Sequence, residues 1–319
     1  MNLIERAAAR ITEEAPRSLL ERAEAQGLFA TVPPTAHVVA PAVIPAVIPA
    51  ATPAAERTGA AWPDALPKPP SRDVTAGIAT VALDRAALAA AGYVLPEGRR
   101  DRLAEELRII RQRLAPPGAV PLSSVMITSS WAGEGKTFFA LNLALAAARD
   151  EDRPILLVDG DLRRQGLSRI LGLGESPGIH AFLEGSEPFE ACLRRVEGLS
   201  LTILPAGRNA ASEEPMTEPQ IRQLVEMAAA RMPDCLVIYD APPLLAATEA
   251  ILLAPQVDQV LFVVEADRTP ERAISAALDL LSSTEHVSMV LNKAPARRGD
   301  DTFGAYYAPQ DDAGQTVRS

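Results

Sequence analysis

Between an apolar run at residues 125–128 and a helical pattern that begins at Lys136, the chain reads Ser130-Trp-Ala-Gly-Glu-Gly-Lys136-Thr137. No other segment restricts the fold so tightly. Glycines at 133 and 135 let the backbone curl with its N–H groups turned inward, and a helix opening at the lysine adds partial positive charge. A loop of this kind cradles phosphate. Gly133 and Gly135 supply the turn, Lys136 reaches the β- and γ-phosphates, and the Thr137 hydroxyl takes a place on Mg²⁺. The first position of the usual pattern is Ser130 rather than glycine, so the strand–loop–helix context carries the reading against that of a ligand-free glycine turn.

The rest of the domain agrees. Apolar runs at 125–128, 155–158, 201–204, 236–239, 259–264 and 287–291 read as strands, and periodic segments at 136–149, 219–231, 248–254 and 270–283 read as helices. Alternation of this kind predicts an α/β P-loop NTPase fold, with a mostly parallel sheet and helices on both faces. Ligands of such sheets sit at the carboxyl ends of the strands. Asp159 and Asp161 follow one strand and Asp240 ends another. A lone aspartate there is more often a turn former, but three beside one phosphate loop read as hard oxygen ligands for Mg²⁺. The nucleotide expected is ATP.

The chain has 319 residues and a net charge of −10, from 31 Lys and Arg against 41 Asp and Glu. With no basic run, it is a poor candidate for nucleic acid or an anionic membrane surface. Residues 1–29 read as a helical docking segment, 30–72 as a disordered Pro/Ala-rich linker, 73–293 as the folded domain and 294–319 as a flexible tail. The linker spans on the order of 100 Å when extended. Its apolar stretch carries Pro41, Pro45, Pro49 and Pro53, which forbid a membrane-spanning helix. Cys192 and Cys235 read as buried small hydrophobes, and His37, His180 and His286 show no ligand spacing. With neither a signal peptide nor a disulfide framework in view, a cytoplasmic location is expected.

The phosphate loop, Asp159-x-Asp161-x-Arg163 and Asp240-Ala-Pro-Pro, in that order, resemble the bacterial tyrosine kinases of capsule and exopolysaccharide synthesis. Several segments are similar to their exosortase-associated autokinase branch. These include Met-Asn-Leu-Ile-Glu-Arg at the start, Glu105-Glu-Leu-Arg108-Ile-Ile-Arg111, Pro-Gly-Ile at 177–179, Leu204-Pro-Ala-Gly207, Pro-Pro-Leu-Leu-Ala-Ala-Thr-Glu at 242–249, Val-Val-Glu-Ala-Asp-Arg-Thr-Pro at 263–270 and Val-Leu-Asn292-Lys. The resemblance covers roughly residues 76–293 and implies ATP bound by Gly133, Glu134, Gly135, Lys136, Thr137 and Phe138, with Asn292 near the adenine. It implies Mg²⁺ on Thr137, Asp159 and Asp240, catalysis by Lys136, Asp159 and Asp161, and oligomerisation through Glu105, Arg108 and Arg111. On residue spacing alone, that last trio reads rather as a solvated helix face beside the stripe Leu103, Leu107, Ile110 and Leu114.

The reaction so implied moves the ATP γ-phosphoryl group to a tyrosine of a neighbouring subunit, at the prompting of an inner-membrane polysaccharide chain-length protein. Of four tyrosines, Tyr239 falls in a core strand, while Tyr306 and Tyr307 lie in the tail as acceptors. That tail is poorer in tyrosine than the family's usual cluster, and Ala132 replaces a proline common in its loop. Two other readings use the same fold. One is a Min/Par-like ATPase switch, disfavoured because Trp131 stands where those proteins carry a second lysine. The other is a nucleotide-dependent regulator with little kinase activity.

Overall fold

The computed structural model describes residues 77–95, 102–114, 122–149, 153–208 and 214–294, with the backbone of 42–45. The segment expected as an N-terminal helical arm, most of the expected linker and the tail, with Tyr306 and Tyr307, lie outside the described residues.

Six strands form the parallel centre of one sheet: β3 (Ser124–Ser129), β4 (Ile155–Asp159), β6 (Leu201–Leu204), β7 (Leu236–Asp240), β8 (Gln259–Glu265) and β9 (Val287–Asn292). Their spatial order is β9-β8-β3-β7-β4-β6. Each reads as a near-continuous apolar run because a parallel strand is covered on both faces. All five residues of β4 are buried. Three short strands extend the edges. Beyond β6, β5 (Arg194–Val196) pairs antiparallel and β2 (Ala79–Val81) joins β5 in parallel. On the other side, β1 (Ala42–Pro45) runs antiparallel to β9. That strand falls within the stretch expected to be a linker: four of its residues are extended, and an edge strand tolerates the proline.

The pleat sorts the strand residues into two layers. Met126, Leu156, Val158, Tyr239 and Phe262 pack with helices α7 (Glu218–Arg231), α8 (Thr248–Leu253) and α9 (Glu271–Asp279). Val125, Ile127, Leu157 and Ile238 face the other way, onto α3 (Lys136–Arg149) and α2 (Arg102–Leu114). Leu103, Leu107 and Ile110 of α2 are buried in this second layer, as the stripe requires. Cys192 and Cys235 are buried with free thiols, which burial pushes up to about 11. Short helices α1 (Arg85–Ala90), α4 (Gly166–Ile170), α5 (Ile179–Leu183) and α6 (Phe189–Cys192) fill the connections.

Helix α7 starts where Thr217 and Gln220 form a capping box around Pro219. Helix α9 ends at Asp279, four residues before the expected 283. The following turns tighten to bonds from Leu281 to Leu278, Ser282 to Asp279 and Thr284 to Leu281. Ser282, Ser283 and Thr284 explain the early stop, since such hydroxyl side chains favour turns over helix interiors. With β3, β4, β7, β8 and β9 all pointing one way, their carboxyl ends gather on a single rim.

Candidate phosphate and carboxylate site

The loop between β3 and α3 occupies that rim. Gly133 and Gly135 adopt φ of +89° and +100°, which only glycine enters without strain. At Gly135 the approach is also close. A Cβ there would lie 1.9 Å from the Asn292 side-chain nitrogen at the end of β9. The turn and its packing therefore both demand glycine.

Lys136 opens α3 and is 6% exposed. Its Nζ donates to Asp161 Oδ2 at 2.8 Å and lies 3.6 Å from Asp240 Oδ1. Burial alone would push this ammonium down, but Asp240, Asp161 and Asp159 outweigh it and hold Lys136 above its ordinary value. Asp159 and Asp240 end adjacent strands in direct register. Both are fully buried. Asp159 Oδ2 accepts the backbone N–H and the hydroxyl of Ser168 at 2.7 and 2.6 Å, while its Oδ1 has no hydrogen-bond partner. Neither oxygen of Asp240 has one either. Burial, aided by the Asp240 charge, pushes Asp159 up to about 7. Burial raises Asp240 too, with Lys136 pulling it back.

Orphaned buried carboxylate oxygens beside a phosphate loop test the Mg²⁺ reading, and the residues fit it. The donors, Asp159, Asp240 and the Thr137 hydroxyl, are all hard oxygens. Among the described residues, no group of three or more His, Cys, Asp or Glu is disposed to hold a metal alone. Mg²⁺ suits such an incomplete set, because it keeps waters and takes substrate phosphate oxygens for the rest.

The raised Asp159 value has a consequence for stability. Its ordinary carboxyl value is 3.8, so between about pH 4 and 7 the folded chain keeps a proton that the unfolded chain has released. Stability contributed by this group therefore falls as pH rises through that window. Asp159→Asn is expected to raise the thermal midpoint of the ligand-free chain at pH 8, by the equivalent of on the order of 2–4 kcal/mol. The gain should shrink steadily towards pH 5. Equal shifts at both pH values would contradict the assignment.

The structure brings together Lys136, Thr137, Asp159, Asp161 and Asp240, expected from the sequence as one centre. Asp161 also caps its own turn, accepting from the Arg164 N–H at 3.3 Å. Asn292 lands on the phosphate loop, its Nδ2 donating to the Glu134 carbonyl at 2.8 Å. The Glu134 side chain turns inward, so any phosphate contact there belongs to its backbone. One of its oxygens accepts the Trp131 N–H at 2.8 Å and the other accepts the Thr269 hydroxyl. Phe138 packs against Tyr93, ring centroids 5.0 Å apart. Tyr239 is buried and its hydroxyl is pushed far up by desolvation. On α2, Glu105 and Arg108 pair with each other, and Arg111 lies one turn further on.

Three contributors were not expected from the sequence: Ser168, which holds Asp159; Thr269, which holds Glu134; and Lys293, whose Nζ donates to the Gly133 carbonyl at 2.8 Å. Ser168 lies in a short helix, and Thr269 and Lys293 in segments that carry only the resemblance, with no role attached; no spacing rule links any of them to its partner.

Among the described residues, no helix is long and apolar enough to cross a membrane. No protein-family model matches the chain. The chain is 29% identical over 146 residues to "Tyrosine-protein kinase ptk" of Acinetobacter johnsonii, a match covering 46% of this chain and 20% of that protein. It is 31% identical over 175 residues to "Succinoglycan biosynthesis transport protein ExoP" of Rhizobium meliloti, covering 53% and 22%. It therefore spans about a fifth of the length of these relatives. Its fold is similar to that of the kinase domain of Escherichia coli tyrosine kinase ETK, with a TM-score of 0.56 and 22% identity over 64% of this chain and 80% of that one.

Proposed function

From a chain that resembles the bacterial tyrosine-protein kinases, we propose an ATP- and Mg²⁺-dependent protein-tyrosine autokinase of the exosortase-associated branch. It transfers the γ-phosphoryl group to Tyr306 and Tyr307 of a neighbouring subunit, and so regulates exopolysaccharide synthesis or export with an inner-membrane chain-length protein. It works on the cytoplasmic side. The observation that carries this reading is the cluster itself: one buried ammonium held among three carboxylates, with the Oδ1 of Asp159 unengaged.

The geometry suits a loose phosphoryl-transfer transition state, in which positioning and charge neutralisation do most of the work. The backbone N–H groups around Gly133 and Gly135 face the β-phosphate, and Lys136 leaves Asp161 to meet the γ-phosphate oxygens. Thr137, Asp159 and Asp240 would hold Mg²⁺, which would neutralise charge on the transferring phosphate. Asp159 offers Oδ1 to the tyrosine hydroxyl while Ser168 fixes its other oxygen. A phenol of pKa about 10 gives up its proton late, so the carboxylate mainly orients the nucleophile. Asn292 borders the adenine, and Glu105, Arg108 and Arg111 on α2 join subunits.

Transfer between subunits is tested by mixing two variants. An Asp159→Asn chain keeps its tail tyrosines but lacks the proton acceptor, and a Tyr306→Phe/Tyr307→Phe chain keeps the site but lacks acceptors. Phosphate on the tail of the first chain is expected only in the mixture. If neither variant nor the unmodified chain gains phosphotyrosine while ATP is hydrolysed, the switch reading takes its place.

A further inference from the structure

The phosphate loop is gripped from outside by residues that take no part in the phosphoryl transfer itself. Three side chains from the ends of β8 and β9 reach Gly133 and Glu134, and a fourth, Glu265, holds one of them. Thr269 donates its hydroxyl to Glu134, and the same hydroxyl accepts the N–H of Glu265 at 3.1 Å. Glu265 in turn holds Lys293, with Nζ 3.1 Å from Oε2. Lys293 passes this contact to the loop by donating to the Gly133 carbonyl, and Asn292 beside it donates to the Glu134 carbonyl. The two strand ends are locked together by the Ala266 N–H on the Asn292 carbonyl at 2.8 Å.

Lys293 reaches Gly133 from a backbone at φ +56°, a left-handed conformation that costs a non-glycine residue energy. Its own N–H donates to Asn292 Oδ1 at 2.9 Å, so the turn orients both side chains at once. A lysine sits poorly at such a position unless its side chain is needed there. A glycine would take the turn without strain, but would leave the Gly133 carbonyl and Glu265 without their ammonium.

We infer that Lys293, held by Glu265, is a positioning residue that presets the phosphate loop for nucleotide. By tying the Gly133 carbonyl outward, it keeps the neighbouring N–H groups turned in towards the phosphates before ligand arrives. This rests on the nucleotide-binding reading above and adds to it a residue that touches neither phosphate nor acceptor. Preorganisation of this kind acts on affinity, since the loop pays no ordering cost at the moment of binding.

Trp131, 42% exposed on the gripped loop, supplies a reporter. The only other tryptophan is Trp62, removed as Trp62→Phe in every chain tested. Trp131 emission and acrylamide quenching are measured in the ligand-free full chain, and ADP–Mg²⁺ affinity by calorimetry. Lys293→Met is expected to increase quenching and to weaken ADP roughly five- to tenfold, with Lys293→Arg recovering most of both, as for loss of one charge-assisted hydrogen bond at a half-exposed site. Unchanged quenching and affinity in Lys293→Met would overturn the inference. So would equal losses in the Met and Arg variants, which would assign the effect to packing. If the parent chain fails to bind ADP, the nucleotide reading falls, while the ligand-free quenching still decides whether Lys293 orders the loop.

Discussion

Lys136→Met is expected to abolish nucleotide binding and, independently, to cost the ligand-free fold about 3–5 kcal/mol at neutral pH, the usual penalty for breaking a buried ion pair from one side. The ammonium is 2.8 Å from Asp161 and 3.6 Å from Asp240, and Asp159 adds to the same field. Methionine keeps the stem but leaves the three carboxylates facing one another. The cost is electrostatic, so it depends on pH. Asp159 and Asp240 are already pushed up by burial, and removing the cation favours their protonated forms further. Urea unfolding should show a larger deficit at pH 7.5 than at pH 5.5, and Asp240→Asn in the same chain should restore part of it. A uniform deficit across pH, or none, would show that Lys136 does not neutralise the cluster.

Gly178→Ala is expected to destabilise the fold by about 3 kcal/mol or more, although Gly178 lies outside the phosphate loop. The reason is contact, not backbone conformation, because its φ of −159° is open to any residue. A Cβ at Gly178 would lie 2.1 Å from the Pro205 carbonyl oxygen and 2.5 Å from the Gly207 nitrogen, both backbone atoms that cannot rotate aside. The two segments are stitched by the Ile179 N–H on the Pro205 carbonyl and the His180 N–H on the Ala206 carbonyl, at 2.9 and 3.1 Å. Displacement there reaches the site. The Ala206 N–H donates to Ser168 Oγ at 3.0 Å, and Ser168 holds Asp159. Thermal melting and ATP turnover should fall together in Gly178→Ala. A normal melting point would mean that the close approach of Gly178 and Gly207 is not needed.

This contact shows what was and was not legible in the sequence. Pro-Gly-Ile at 177–179 and Leu204-Pro-Ala-Gly207 stood out as separate resemblances, but nothing in either predicts that one glycine packs on the other. The six central strands were readable because burial on both faces leaves an apolar run, and each observed strand lies within one residue of its expected span at either end. The phosphate loop was readable because its chemistry is confined to eight consecutive residues. The aspartates were readable because strand ends mark the rim. Ser168, Thr269 and Lys293 were not. Their partners lie 9, 135 and 160 residues away, and a single side-chain bond across such a distance imposes no periodicity. The edge strands β2 and β5 are three residues long, too short for alternation to register.

The central claim is tyrosine phosphorylation at this site, and one measurement meets it directly. Purified full chain is incubated with ATP and Mg²⁺ and its phosphotyrosines are mapped by mass spectrometry, with Asp159→Asn as the folded control. Phosphate on Tyr306 or Tyr307, absent from the control, is the predicted result. ATP bound and hydrolysed with no phosphotyrosine, even when a chain-length protein's cytoplasmic segment is added, would contradict the kinase reading and leave a nucleotide switch on the same fold.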